Sequence, residues 1–308
     1  MRAGEAKGNA MRRILLRTLF GLVAFVLAVV VFVYVRSEMA LRTTWRIDEP
    51  ALTIPTDAQA LANGEHIAIT RGCKGCHSAD FGGEVVFEVG AIGRMAAPNL
   101  THGKGGVIAN FTTSDWERAI RHGIKPDGRP LLFMPIRDFA GLSDADTADL
   151  IAYVQSAPAT ERNLSPSYIG PVGRLLFSLG QLPMVEARLI DQHAQHASHI
   201  EMAATAEYGS YLAQSCTGCH GVHLSGGPIP GTPPDFPKPA NLTPEKTTGL
   251  GAWSKDDFYR VFREGKKPDG KDLDPYMPWK ALGHFSDTEL DALWAYLQSV
   301  QARPYGQR

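Results

Sequence analysis

Two pentapeptides, Cys73-Lys74-Gly75-Cys76-His77 and Cys216-Thr217-Gly218-Cys219-His220, constrain this chain more than any other feature. Cys-x-x-Cys-His is the attachment site of a c-type haem. The two thiols add across the haem vinyl groups, and the adjacent His offers an imidazole nitrogen to one face of the iron. With 4 Cys and 10 His among 308 residues, chance would supply one such motif only about 0.002 times per chain. Both motifs together consume every Cys, so none is left over for a disulfide framework. In each motif the His also stands too close to the second Cys for ordinary zinc spacing. The pair implies two covalently bound haem c groups. Cys73, Cys76, Cys216 and Cys219 are the covalent anchors, and His77 and His220 are axial iron ligands.

The motifs lie 143 residues apart, and much of the chain repeats at an offset of 142 or 143. Asn99-Leu100-Thr101 returns as Asn241-Leu242-Thr243, and Lys125-Pro126-Asp127-Gly128 as Lys267-Pro268-Asp269-Gly270. Met134-Pro135 returns as Met277-Pro278, and the helical stretch Leu150–Ser156 as Leu293–Ser299. One domain of about a hundred residues has been duplicated, with copies at residues 57–157 and 204–303. Each copy reads as three helical pieces between Gly/Pro loops. The first helix starts near Asp57 and near Thr205 and runs into the Cys motif. The second opens at Ser114-Asp-Trp-Glu117 and Ser254-Lys-Asp-Asp257, the third at Ser143-Asp-Ala-Asp146 and Ser286-Asp-Thr-Glu289. All four openings have the S-x-x-[DE] form of a capping box. Leu290, Leu293, Trp294 and Leu297 make one apolar helix face. No alternating strand pattern is evident, so the expected fold class is all-α, two tandem domains built around haem.

Ahead of the repeats, residues 1–36 read as a basic N-terminus followed by a transmembrane anchor. From Leu19 to Val35 every residue is apolar or aromatic apart from Gly21, in a run that begins at Ile14, close to the ~20 residues a spanning helix needs. The alternative, a cleaved signal peptide, meets an apolar run that is long for an h-region and no A-x-A after it. Arg2, Lys7, Arg12, Arg13 and Arg17 lie before the run, so the positive-inside rule keeps the N-terminus cytoplasmic. The expectation is a single-pass protein of a bacterial inner membrane with both haem domains in the periplasm. Residues 37–56 read as a tether, with Pro50 and Pro55 breaking any helix begun at the membrane. Residues 158–203 read as an ordered linker across both domains, and residues 304–308 as a tail. His193, His196 and His199 near the linker's end suit a solvated helix surface better than a metal site. The charge excludes a nucleic-acid partner: residues 57–157 carry 9 Lys/Arg against 12 Asp/Glu, and residues 204–303 carry 10 against 12.

An iron with one His has its second axial face open to Met, His, water or substrate, and that choice decides function. Only Met134 and Met277, of 8 Met, hold equivalent places, each 57 residues beyond its motif His and followed by Pro. They are the expected distal ligands. Met95 has no partner in the second copy, and neither do His102, His122, His223 and His284. The repeated Asn-Leu-Thr either donates hydrogen bonds to haem propionates or closes a turn, and Trp116 and Trp253 read as pocket wall.

The run Asn241–Phe258, with Arg263-Glu-Gly265, Pro268-Asp-Gly270, Tyr276-Met-Pro278 and Phe285-Ser-Asp287, resembles the cytochrome c subunits of bacterial membrane-bound alcohol, gluconate and aldehyde dehydrogenases. The resemblance covers residues 57–303 and is stronger in the second copy. It implies class I cytochrome c domains with His/Met iron that pass electrons from a periplasmic dehydrogenase to the respiratory chain. The receiving partner would be a quinone-linked complex, a soluble cytochrome or an oxidase. Those subunits carry three haem domains, and this chain has two. The expected role is electron carrier without catalytic residues of its own. The rival is a dihaem enzyme such as a thiosulfate dehydrogenase or a peroxidase, which needs an open iron face that two distal Met would close.

Overall fold

The apolar run forms the middle of one long helix, α1 (Arg2–Arg42), in a computed structural model that describes residues 2–48 and 50–308. From Ile14 to Phe32 its large apolar side chains point outward all round, as a helix does when lipid is its solvent. The segment Met11–Arg42 is long and apolar enough to cross a membrane. The last turns differ, because Val33, Ser37 and Ala40 are buried against the rest of the protein. The helix ends at Arg42, before either tether proline, and the chain beyond it is docked: the Trp45 N–H donates to Gly128 O (3.0 Å) and Ile47 is buried.

In the first copy α2 (Ala58–Thr70) is capped by Asp57, whose carboxylate accepts from the N–H groups of Gln59 and Ala60. It leads into α3 (Cys73–His77). The next elements are strands, β1 (Glu84–Val89) and β2 (Gly93–Ala97), an antiparallel hairpin with a bulge between Val85 and Phe87. Helix α4 (Thr113–Glu117) continues as a π-helical turn through His122. Its capping box is Thr112 with Asp115, two residues before the expected Ser114–Glu117 pair. Glu117 is instead buried against Arg121 (2.9 Å), which also holds Asp144 (2.7 Å). Helix α5 (Asp144–Gln155) closes the copy under its Ser143 cap.

The linker adds strand β3 (Tyr168–Ile169), paired to β2, and helix α6 (Pro171–Ser178), which packs on α1. Its later part lies along the first copy, with Met184, Val185 and Ala187 buried and Asp144 and Ala145 donating to the carbonyls of Ala197 and Ser198. The stretch containing His193, His196 and His199 is irregular chain, not the expected helix surface. In the second copy α7 (Ala206–Ala213), capped by Thr205, leads into α8 (Thr217–His220). Helices α9 (Lys255–Glu264), α10 (Trp279–Leu282) and α11 (Asp287–Ser299) follow, with full capping boxes at Ser254–Asp257 and Ser286–Glu289.

The protein is thus mostly helical, but the three-stranded sheet β1-β2-β3 corrects the all-α expectation. It belongs to the first copy and the linker alone. The matching stretch of the second copy carries Pro228, Pro230, Pro233, Pro234, Pro237 and Pro239, which cannot donate to a ladder.

Within each copy the first and last helices cross closely, α2 on α5 and α7 on α11. A Cβ on Gly64 would stand 2.1 Å from Asp149 O, and one on Gly209 would stand 1.9 Å from Ala292 O. The crossing therefore requires glycine in both places. A single buried cluster runs through both copies, from Ile67, Trp116 and Ile151 to Phe258, Leu290 and Leu297.

Candidate haem-binding sites

Each motif His is held by the same backbone device. His77 Nδ1 lies 3.0 Å from Pro98 O, and His220 Nδ1 lies 2.7 Å from Ala240 O. A carbonyl only accepts, so in both rings Nδ1 carries the proton and Nε2 is left with its lone pair. Burial pushes both imidazoles below the usual His range, against the carbonyl bond that raises them. They are therefore neutral, the form in which His binds a metal.

The carbonyls are fixed in turn by the Asn-Leu-Thr repeats. Asn99 and Asn241 are buried, and each side-chain oxygen accepts both the N–H and the hydroxyl of the Thr two residues on (2.7–3.0 Å). Their amide groups donate to Thr160 O (2.7 Å) and Arg303 O (2.8 Å), in the chain leaving the last helix. The N–H groups of Thr160 and Arg303 donate back to the hydroxyls of Thr101 and Thr243. Of the two readings, the turn-closing one describes these side chains. Pro98 and Ala240 were not singled out in the sequence. The signal was the repeat that follows them, since each stands one residue before a duplicated buried Asn.

Burial pushes the Cys73 and Cys216 thiols up to about 12 and about 11. Burial also raises Cys76 and Cys219, and Cys219 is the one exposed cysteine of the four. Met134 and Met277, like Cys73 and Cys216, are half-buried and pack on the common cluster. Each Met carbonyl accepts the N–H two residues beyond it, from Ile136 (2.9 Å) and Trp279 (2.7 Å), at the start of a short helical turn. Trp116 is buried in that cluster and Trp253 packs against it. Two thiols, a lone pair on Nε2 and a thioether in the equivalent loop are, in each copy, a donor set that fits a c-type haem. Among the described residues no group of three His, Cys, Asp or Glu could hold a separate metal ion.

The two copies meet across a seam. The turn Ile136–Asp138, just after Met134, packs on residues 214–220, which contain the second Cys motif. Helix α10, just after Met277, packs on α2, which leads to the first. A Cβ on Gly218 would lie 3.2 Å from Asp138 Oδ1. Burial and the nearby Glu186 push the Asp138 carboxyl up to about 7, opposed by Arg71, Arg137 and the Gly218 N–H. Buried Arg71 donates to Leu212 O and Tyr211 O (both 3.3 Å) and lies over the Tyr211 ring. The Tyr211 hydroxyl accepts the Ser143 N–H (3.2 Å) and donates to Asp146, and His66 Nε2 pairs with buried Glu289 (2.8 Å).

A family model described as cytochrome c matches residues 61–158 and again residues 206–301. Among curated proteins the chain is similar to the cytochrome c subunit of a quinone-type alcohol dehydrogenase of Gluconobacter oxydans (strain 621H). It is 26% identical to that subunit over 274 residues, which are 81% of this chain and 56% of that one. It is 27% identical over 272 residues to the gluconate 2-dehydrogenase cytochrome c subunit of Pantoea cypripedii, covering 79% of this chain and 60% of that one. A diheme cytochrome c-type protein of Cereibacter sphaeroides is 27% identical over 267 residues, covering 78% of this chain and 86% of that one. The chain spans a little over half the length of the alcohol dehydrogenase subunit. These relatives bear out the resemblance read from the sequence.

Proposed function

Because the chain belongs to the cytochrome c family in both of its copies, we propose that it relays single electrons from a membrane-associated dehydrogenase to the respiratory chain and is not itself a dehydrogenase. Two covalently bound haem c groups supply a reversible one-electron couple each. Cys73 and Cys76 would hold one, Cys216 and Cys219 the other. His77 and His220 would bind the iron through Nε2, and Met134 and Met277 would supply the second ligand through their thioethers. The duplicated carbonyl–imidazole bond carries the proposal, because it presets both rings as ligands before anything is bound. His220 is buried and His77 half-buried, and this desolvation favours the less charged state of each site. The seam places each Met loop beside the other copy's Cys motif or the helix leading to it, which suits transfer between two centres.

Helix α1 would anchor the chain in the inner membrane by a single pass, with both domains on the periplasmic side. Donors would be periplasmic dehydrogenases, and acceptors a quinone-linked complex, a soluble cytochrome or an oxidase.

The test uses the purified holoprotein with a panel of alcohols, aldehydes, sugar acids, thiosulfate and hydrogen peroxide. No turnover is expected until a partner dehydrogenase is added, when both haems should be reduced. Steady turnover of any substrate by the protein alone would make it an enzyme instead.

A further inference from the structure

The linker helix α6 meets α1 at one particular height. Arg174 donates through Nη1 to Ser37 Oγ (2.7 Å) and Glu38 Oε2 (3.1 Å), and its guanidinium stands over the Tyr34 ring. Ser178 Oγ reaches Val33 O. The apolar run ends at Val35, and Arg36 is the first charge after it. At 1.5 Å per residue, Val33 to Glu38 covers about 7.5 Å, the depth at which a spanning helix leaves hydrocarbon and passes the headgroups. Helix α6 must lie at that same level.

Its surface is divided accordingly. A Cβ on Gly173 would lie 2.1 Å from Ile92 O, and Arg174 faces α1, so this side is covered by protein. Val172, Leu175 and Leu179 stand at i, i+3 and i+7 and are 41%, 40% and 63% exposed. The N-terminus of α6 is bound to the tip of the β1–β2 hairpin, where the Val172 N–H donates to Ala91 O (2.9 Å). That tip is also apolar and exposed at Val89, Gly90 and Ala91. Scattered exposed apolar residues are ordinary on a soluble surface, but a continuous stripe at this height is the pattern of an interfacial amphipathic helix. Exposed Arg36, Arg42 and Arg46 lie on the α1 side of it and complement phosphate headgroups. Eight residues would bind a bilayer weakly alone, but attachment to α1 makes the contact intramolecular.

We propose that α6 and the β1–β2 hairpin tip form a seat resting in the headgroup layer of the bilayer that α1 enters, holding the first haem domain against the membrane, a placement that rests on α1 being an anchor.

The experiment places a nitroxide at Leu175→Cys in full-length holoprotein reconstituted in phosphatidylcholine/phosphatidylglycerol nanodiscs, with the native cysteines consumed by haem. Phe25→Cys in α1 and Val222→Cys on the second copy are the reference sites. Collisions with oxygen, which partitions into lipid, are compared with collisions with a water-soluble nickel chelate. The expected result is a collision ratio at 175 shifted from that of 222 toward that of 25. A lipid-like ratio at 25 with a water-like ratio at 175 overturns the seat and leaves the anchor standing. A water-like ratio at 25 overturns the anchor and the seat with it. A label at 175 immobilised and shielded from both reagents means that a protein covers α6, and overturns the seat.

Discussion

A histidine ring binds iron only through the nitrogen that carries no proton, and here one backbone carbonyl per copy decides which nitrogen that is. Pro98 O and Ala240 O do so because buried Asn99 and Asn241 fix the turns that follow them. The proposed second ligand of each iron, Met134 or Met277, has no such preorganisation, so a ligand swap tests it cleanly. Met134→His and Met277→His should each leave the affected haem low-spin and lower its potential on the order of 100 mV, a fraction of the ~0.8 V that axial ligands command. Redox titration followed by absorption spectra reads both effects. A variant whose two potentials and spectra match the parent's would show that its Met is not a ligand.

At the scale of helices, the crossing of α2 on α5 and of α7 on α11 brings the chain ends of each copy together beside its haem motif. Gly64→Ala and Gly209→Ala would press a methyl into the carbonyls of Asp149 and Ala292. Each should cost about 1–3 kcal/mol as overpacking, read as a lowered midpoint of thermal unfolding. An unchanged midpoint would mean that the helices slide apart freely. These helices were legible in the sequence because Asp57, Thr205, Ser143 and Ser286 mark their starts through local hydrogen bonds, as Ser254 does for α9. The cap of α4 was misplaced by two residues, since Thr112 fits the same box as Ser114 and Glu117 is taken up by buried Arg121, which Asp144 holds from further along the chain. The sheet was hidden for a related reason. Its hairpin carries a bulge, and its third strand comes from the linker, so neither a clean alternation nor the repeat could reveal it.

At the scale of the whole chain, the two copies share one core, and the seam between them adds polar contacts that no repeat pattern announces. Arg71, His66, Tyr211, Asp138 and Glu289 look unremarkable in sequence because their partners lie in the other copy. The proposed iron donors, by contrast, stand out in the sequence residue by residue, since a c-type haem would set their spacing. Burial would raise the Glu289 carboxyl, but His66 and Ser286 outweigh it and hold the group below the usual carboxylate range. A carboxyl lowered on folding stabilises fully above its unfolded value, ~4.3. The contribution is lost as pH falls through the lower folded value. Glu289→Gln should therefore cost about 1–3 kcal/mol near neutrality and remove part of the loss of stability on acidification below that range. Thermal unfolding against pH measures both. Parallel curves for parent and variant would show that the pair contributes nothing to the pH dependence.

The docking of residues 43–48 onto the first copy, together with the Arg174 clamp on α1, bears on how traffic reaches the haems. A carrier on a slack leash can commute, collecting charge at one protein and delivering it at another. A carrier fixed at its base cannot commute. Donor and acceptor would each have to come to it, and throughput would then follow from how often visitors arrive, not from how far the host can swing.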